Sequence, residues 1–328
     1  MILVIENLVE GYFIITVDGL IFEIKGVIHP KDRVIAYLRY VPVAEGYRKV
    51  YDLKERESYL QDNYTKYLWF SEPHGRVIQS VSNNDIKSIL SPVDCLRNLR
   101  NRTGKISPLE QASVYLSEEL VNSTGIEWSN IGITGSQLVG IARKDSDIDL
   151  VVFGLEACRE FYSGLSENIS SIIDIERYNG KMLDEHVAFR WGVHTDLKQI
   201  LREIEQAKLL QGLYRGYHFF VRLVKNSDDL DYLYGDVSFE MRGHQLVSGT
   251  VTGDSDSIFT PCEYMVECNE NPLLKRLVSY RGRFTEQISQ GATFEAQGRV
   301  EIVTDHKKND RYLQLVLGEL PTDYLIPK

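Results

Sequence analysis

Gly132-Ile133-Thr134-Gly135-Ser136, followed by Asp147-Ile148-Asp149-Leu150-Val151-Val152, is the stretch that decides the fold of this 328-residue chain. A short apolar strand ends in Gly-Ser, and after a spacer of ten residues an Asp-x-Asp pair begins a second apolar strand. Residues two apart on a strand face the same side, roughly 7 Å apart. We therefore expect Asp147 and Asp149 to present their carboxylates together, while the apolar residues beside them enter the core.

Two carboxylates on one face repel each other, which makes the pair costly unless a cation lies between them. Mg²⁺ suits this position because it takes oxygen ligands and is commonly held by one or two carboxylates plus substrate phosphates. Gly135 lets the backbone approach a ligand closely, and Ser136 adds a hydroxyl donor at a short helix start. The pattern predicts a metal site at Asp147 and Asp149 and a nucleoside triphosphate (NTP) site at Gly135 and Ser136. The alternative is that the two aspartates only cap a turn and solvate a strand end.

The motif resembles the nucleotidyltransferase superfamily of DNA polymerase β, whose pattern is hydrophobic-Gly-Gly/Ser, about ten residues, then Asp/Glu-h-Asp/Glu-h. Val139-Gly140 and Ser146 also suit that loop. The resemblance covers residues 132–152, and the wider fold would take up about a third of the chain. The whole chain is also similar to an archaeal group of predicted nucleotidyltransferases without an established substrate.

This resemblance implies an enzyme that moves a nucleoside monophosphate from an NTP to an acceptor hydroxyl and releases pyrophosphate. The catalytic residues would be Asp147 and Asp149, holding Mg²⁺ or Mn²⁺, together with a third carboxylate on the strand after the next helix. Asp174 is the natural candidate for that carboxylate, and Asp196 or Glu240 are the alternatives. A second function stays open, in which the fold survives as a catalytically inactive module that binds nucleotides or nucleic acid.

The resemblance also implies how the nucleotide is held. Gly135 and Ser136 would bind the β- and γ-phosphates. Arg143 and Lys144 are predicted to neutralise phosphate charge, although a turn this rich in charge is also compatible with two solvated side chains.

RNA is the first candidate for the acceptor, because β-rich segments on both sides of the motif suggest an extended partner. Arg215, Tyr217 and Arg222 are predicted to contact it through phosphate pairing and base stacking. Basic and aromatic residues within 33–41 favour the same role. Both stretches are also compatible with ordinary strands. A protein or a small-molecule acceptor, as in the antibiotic-modifying and AMP-adding branches of the family, stays open.

Composition limits the class of protein. The net charge of −10 argues against a general nucleic-acid coat, but residues 226–270 carry −9 of it, which leaves room for a local basic groove. The first residues lack the basic region of a signal peptide, and no apolar run approaches the ~18 residues of a membrane span.

The four cysteines lack CxxC spacing, so we expect buried free thiols in a cytoplasmic protein without a zinc site. The sequence does not predict an oligomeric state.

The chain is expected to be an α+β protein of three parts: a β-rich domain over 1–100, a nucleotidyltransferase domain over 101–235 and a C-terminal small β barrel, OB-like, over 236–328. In the first part, strand patterns surround an Asp18-Gly19 hairpin turn. In the second, a capping box at Ser107 predicts a helix that ends near Gly125. Further helices are predicted over 155–170 and 196–211, followed by a strand over 213–225.

The C-terminal part is predicted from short strand-like runs. Five such runs follow residue 245, with glycines as turns or bulges between them. The acidic segment 226–240 before them is predicted to be a linker or an exposed loop. Asp254-Ser255-Asp256 repeats the Asp-x-Asp spacing, but its Gly-Asp-Ser setting predicts a turn rather than a metal site.

Overall fold

The computed structural model describes residues 8–328. Residues 1–7, on which the expectation of no signal peptide rests, lie outside the described residues. The strands are β1 (Phe13–Thr16), β2 (Ile21–Ile24), β3 (Arg33–Val43), β4 (Gly46–Lys49), β5 (Leu68–Ser71), β6 (Arg76–Ser82), β7 (Ile86–Leu90), β8 (Ile131–Ile133), β9 (Ile148–Phe153), β10 (Ile175–Glu176), β11 (Gln211–Tyr214), β12 (Tyr217–Val224), β13 (Val237–Gly253), β14 (Cys262–Glu267), β15 (Leu274–Ser279), β16 (Thr293–Asp305), β17 (Asp310–Leu317) and β18 (Tyr324–Pro327). The helices are α1 (Leu53–Asn63), α2 (Pro92–Arg100), α3 (Pro108–Thr124), α4 (Gly135–Val139), α5 (Leu155–Asn168), α6 (Gly180–Trp191) and α7 (Lys198–Ala207).

These elements confirm the predicted mixed α+β class, with the strands arranged in three sheets. The chain divides into two compact units. The first comprises the described residues up to 164 together with 219–235, and the second comprises 165–218 and 236–328. The domain boundaries predicted after residues 100 and 235 remain predictions.

A seven-stranded sheet dominates the first unit. Its strands run in the order β5-β6-β3-β2-β1-β7, and β4 pairs with β3. The predicted hairpin is confirmed, since β1 and β2 pair antiparallel with Phe13 opposite Glu23. Alternate residues of β3 are buried, as expected for a strand with one face on a core. Helix α1 was not predicted, because its apolar face is weak and its cap depends on Asp52 alone.

The strands and helices of the motif follow in the expected order: β8, α4, β9 and α5. Strand β8 pairs antiparallel with β9, and β12 pairs with β9 on its other edge in parallel, with Phe220 opposite Asp149. The capping box before α3 is confirmed, because Ser107 and Glu110 exchange side-chain to backbone hydrogen bonds. The helix ends at Gly125 in the left-handed conformation, as predicted.

The seven-stranded sheet packs on the motif elements within this unit. Tyr40 of β3 belongs to a small buried cluster, and Leu138, Val139 and Ile141 pack against it just after the Gly-Ser turn. The hydroxyl of Thr134 donates to the carbonyl oxygen of Gly11 at 2.6 Å. The sheet therefore supports the loop that carries the candidate site.

The second unit contains the six-stranded sheet β13-β14-β15-β17-β16-β18. Strand β13 also pairs with β16, so the pairing returns to its starting strand through β14, β15, β17 and β16. Helices α6 and α7 share one hydrophobic core with this sheet, in which Trp191 and Leu201 are buried beside Leu277. Helix α6 was not predicted from the sequence.

Three expectations about secondary structure need correction. The predicted strand over 213–225 is a hairpin, because Arg215 and Gly216 take left-handed conformations between β11 and β12. The helix predicted over 196–211 is shorter, since the backbone is extended at Lys208 and β11 begins at Gln211. The acidic segment 226–240 is a loop only in part, because β13 begins at Val237.

Two smaller predictions are confirmed. The second Asp-x-Asp lies in a turn, closed by a hydrogen bond from the Ser257 amide to the Asp254 carbonyl oxygen at 2.9 Å. All four cysteines are free thiols, and all but the half-buried Cys95 are buried.

His29 gives a pH prediction for the stability of the first unit. Its Nε2 donates to the carbonyl oxygen of Leu8 at 2.9 Å, and its Nδ1 accepts from the Ile35 amide at 3.2 Å. Only the neutral ring satisfies both bonds, and burial lowers the pKa of His29 to about 4. We expect the free energy of unfolding to fall as the pH drops from 6.5 towards 4, because the unfolded chain then takes up a proton that the folded chain does not.

Denaturant unfolding of the wild type and of His29→Gln across this pH range measures the effect. The loss in the wild type is at most about 1.4 kcal/mol per unit of pKa difference. In the variant, whose amide does not titrate, that share of the pH dependence should disappear. Parallel pH curves for the two proteins would show that His29 is not responsible.

Candidate metal and nucleotide site

Gly135 and the Asp149 carboxylate lie in direct contact. Gly135 has a φ of 65°, in the left-handed region that favours glycine, and a Cβ atom built there would overlap Oδ2 of Asp149. The amide of Thr134 donates to the Asp149 carbonyl oxygen at 2.9 Å, which fixes the turn against β9. The structure thus brings the Gly-Ser turn and the Asp-x-Asp strand together, as the sequence predicts.

Asp147 and Asp149 influence each other electrostatically. Asp147 is exposed just before β9, whereas Asp149 lies half-buried on the strand. Burial and the neighbouring Asp147 charge raise the pKa of Asp149 to about 6, against the opposing effect of Arg222 and Lys49. A carboxyl group with a raised pKa beside a second carboxylate favours a cation at this position.

A buried network of charges lies next to Asp149. Glu10 and Glu23 accept from Lys25 at 2.9 and 2.8 Å, and Arg222 lies 3.5 and 3.2 Å from the same two carboxylates. Arg39 joins Glu23 at 3.7 Å. Burial alone would raise the pKa of Glu23, but these three cations hold it well below its usual range. Within this network, the Arg222 charge lowers the pKa of Asp149, whereas the Glu23 charge raises it.

The predicted phosphate-binding residues lie on the loop between β8 and β9. Ser136 is in the first turn of α4, and its carbonyl oxygen accepts from the Ile141 amide at 3.0 Å. The Arg143 amide donates to the Ser146 hydroxyl at 2.9 Å, which closes the loop before Asp147. The side chains of Arg143 and Lys144 are exposed, and neither forms an ion pair within residues 8–328. Both are therefore available to an anionic ligand.

The predicted third carboxylate belongs to the second unit. Asp174 lies in an exposed turn before the two-residue strand β10, with a φ of 68°, and not on the strand that was expected. Its carboxylate pairs with Arg215 at 2.8 Å. Of the alternatives, Asp196 lies in a short 3-10 turn, and Glu240 is exposed on β13. The catalytic role of Asp174 stays a prediction.

The predicted acceptor-binding residues are divided between the units. Arg215 lies with its guanidinium carbon 5.2 Å from the centre of the Tyr214 ring, and Tyr217 is half-buried at the start of β12. Arg222 lies in the first unit, where its observed partners are Glu10 and Glu23. Contact with an acceptor stays a prediction for all three predicted residues.

The donor set fits a hard divalent cation that is completed by substrate. Within residues 8–328, no group of three or more His, Cys, Asp or Glu side chains is placed to hold a metal ion. Asp147 and Asp149 supply two carboxylates beside Gly135, whose missing side chain leaves room for a ligand. Mg²⁺ is commonly held in this way, by one or two carboxylates plus phosphates. The site would then need a phosphate ligand to complete the coordination.

Sequence analysis missed Glu23, Lys49 and Tyr40 as neighbours of the site. Glu23 offered a signal, because it is a charged residue inside the fully buried strand β2. Burial raises the pKa of Tyr40 to about 12, against the opposing charge of Arg39 and with smaller contributions from Glu23 and Asp149. Lys49 offered no signal, since it is one of several lysines in a polar segment.

Comparison with known proteins gives one chain-wide similarity. The chain is 26% identical to an uncharacterized protein of Methanocaldococcus jannaschii over 336 residues, which cover 93% of this chain and 94% of that relative. No family model matches the chain, and no solved structure matches it. The similarity therefore extends well beyond the motif, to both units.

Every helix in residues 8–328 is too short or too polar to cross a membrane.

Proposed function

We propose that this chain is a metal-dependent nucleotidyltransferase, which moves a nucleoside monophosphate from an NTP to an acceptor hydroxyl and releases pyrophosphate. The observation that carries the proposal is the contact between Gly135 and the Asp149 carboxylate. At Gly135, which has no side chain, phosphates can approach the backbone. The contact brings this position next to Asp147 and Asp149, two neighbouring carboxylates that favour a cation. Phosphates and a divalent metal are the shared requirements of nucleotidyl transfer.

The arrangement of strands supports a polymerase β-like domain at the centre of this function. The order β8, α4, β9, α5 is the one expected from the resembled family, and β8 and β9 pair directly, so the Gly-Ser turn lies beside the Asp-x-Asp strand. In the second unit, the five strands whose pairing returns to β13 support a small OB-like barrel, because OB folds are five-stranded, partly open barrels. The seven-stranded sheet would form the β-rich N-terminal part.

Each residue has a definite role in this proposal. Asp147 and Asp149 would hold Mg²⁺ or Mn²⁺, and the bound metal would stabilise charge on the reacting phosphate and lower the pKa of the acceptor hydroxyl. Gly135 and Ser136 would hold the β- and γ-phosphates. The acceptor oxygen forms a bond to the α-phosphorus while the bond to the leaving pyrophosphate breaks, and the hydroxyl proton passes to solvent.

RNA remains the proposed acceptor. The sheet of the first unit carries basic and aromatic side chains in contact, with the guanidinium carbon of Arg33 4.6 Å from the centre of the Trp69 ring. Phe70, on the same strand as Trp69, is 55% exposed. Basic groups combined with exposed rings bind single-stranded nucleic acid through phosphate pairing and stacking.

An inactive binding module is the second candidate. The observation that favours it is the exposed ion pair between Asp174 and Arg215, which leaves the predicted third carboxylate already engaged. Such a module would bind a metal-nucleotide complex without transferring the nucleotide. Binding and transfer therefore need separate measurements.

Thermal unfolding tests the binding step. We expect Mg²⁺ with an NTP to raise the melting temperature of the wild type, because a ligand of the folded state stabilises it by about 2.7 kcal/mol at one hundred times its dissociation constant. The increase should be lost in Asp147→Asn. Asp145→Asn is the matched control, since Asp145 is exposed in the same loop and forms no ion pair in the described part of the chain. Equal increases in all three proteins would place the metal-nucleotide complex elsewhere.

A further inference from the structure

We propose that Lys49 of the seven-stranded sheet binds the triphosphate of the nucleotide held at Asp147 and Asp149, with Tyr51 positioning its ammonium group. This inference rests on the proposed function and adds a residue of the first unit that lies far from the motif in sequence. It assigns to the N-terminal sheet a direct part in recognising a nucleoside triphosphate.

The register of β3 and β4 places Lys49 on the face that meets the motif loop. Tyr40 of β3 is directly opposite Lys49 of β4, and opposed residues of an antiparallel pair share a face. Tyr47, two residues before Lys49, packs against the same cluster as Tyr40. Leu138, Val139 and Ile141, which follow the Gly-Ser turn, also pack against that cluster. Lys49 therefore extends from the surface on which the phosphate-binding loop rests.

The Gly-Ser turn connects this face to the metal site. Gly135 contacts the Asp149 carboxylate directly, and Leu138, three residues later, packs against the cluster of Tyr40, which lies opposite Lys49. A phosphate chain that reaches from a metal on Asp149 along the Gly-Ser turn would therefore come within range of the Lys49 charge.

Lys49 is the cation of this face that is available to a ligand. Arg39 pairs with Glu23, and Arg222 pairs with Glu10 and Glu23. Lys49 forms no ion pair within the described residues and is half-buried, so its charge is not neutralised by a carboxylate of the fold.

Tyr51 restrains the Lys49 side chain. The ammonium nitrogen lies 4.9 Å from the centre of the Tyr51 ring, within the range of a cation–π contact. The ring is 72% exposed, and Arg39 approaches it at 5.8 Å. An ammonium group held on an exposed ring, without a carboxylate paired to it in the described residues, keeps its charge available to a polyanion.

Calorimetric titration of the full chain tests this inference. The probes are Mg²⁺ with the α,β-methylene analogues of the four NTPs, which cannot release pyrophosphate, and the corresponding nucleoside monophosphates. We expect Lys49→Gln to weaken binding of the triphosphate about 10- to 100-fold and to leave monophosphate binding nearly unchanged. Lys54→Gln is the matched control, because Lys54 is exposed on α1 and forms no ion pair in residues 8–328. Its affinities should equal those of the wild type.

Tyr51 provides a second readout. Tyr51→Phe keeps the ring and should bind the triphosphate like the wild type, whereas Tyr51→Leu should weaken binding several-fold. If Lys49→Gln and the wild type bind the triphosphate equally, the inference is wrong while the proposed function stands. If the wild type itself binds no analogue, both the inference and the proposed function are overturned. Matching thermal unfolding of all variants without ligand shows that the fold is intact.

Discussion

Asp149→Asn is expected to reduce nucleotidyl transfer by at least about 10³-fold, because it removes a charged metal ligand at the point of reaction and with it several kcal/mol of transition-state stabilisation. The amide keeps the size and shape of the side chain in contact with Gly135. Rates of pyrophosphate release in excess Mg²⁺ and NTP measure the loss. Asp145→Asn, in the adjacent exposed loop, should react at the wild-type rate.

The same variant should be more stable than the wild type when divalent metal is removed with a chelator. The fold holds the Asp149 pKa at about 6, above its ordinary value, so at pH 7.5 the ionised carboxylate destabilises the folded state. Removing that charge is expected to raise the free energy of unfolding by about 1 to 3 kcal/mol. A less active but more stable protein is the combination expected of a binding site. A variant that retains transfer, or that unfolds more easily, would contradict a metal role for Asp149.

Gly135→Ala is the second large effect. The added methyl group meets the Asp149 carboxylate at a residue whose backbone is left-handed, so two penalties combine. We expect a loss of about 2 to 4 kcal/mol in the free energy of unfolding and no increase of the melting temperature with Mg²⁺ and NTP. Denaturant unfolding and thermal unfolding with ligand measure the two consequences.

Gly140→Ala separates these two penalties. Gly140 is also left-handed, with a φ of 77°, but no atom lies within 4 Å of a Cβ built there. It should lose only about 1 kcal/mol and should keep its response to Mg²⁺ and NTP. If both variants lose the ligand response equally, the effect comes from the flexibility of the loop rather than from the contact with Asp149.

The local part of the site could be predicted from the sequence. Gly135 and Asp149 are separated by one short loop, so strand periodicity and glycine geometry are sufficient to bring them together. The hairpin at Asp18-Gly19 and the helix capped by Ser107 were predictable for the same reason, since each depends on neighbouring residues. These features confirm that the strongest sequence signals were short-range.

The surroundings of the site depend on contacts between distant segments. Glu10 and Arg222 are 212 residues apart, and Lys49 approaches Asp149 only because β4 pairs with β3. No periodicity within one segment encodes such contacts. The hairpin at Arg215 was missed because two left-handed residues interrupt an otherwise continuous strand pattern, and only Gly216 signalled the turn.

The central claim is most directly tested by label transfer. The full chain is incubated with Mg²⁺, each α-labelled NTP in turn and total cellular RNA, and the label in RNA is compared with the pyrophosphate released. The account predicts labelled RNA and an equal amount of pyrophosphate, both absent with chelator or with Asp149→Asn. Label in a protein or a small molecule instead would keep the transferase and reject RNA as its acceptor. Binding of Mg²⁺ and NTP with neither label transfer nor pyrophosphate release would contradict the account and identify a binding module.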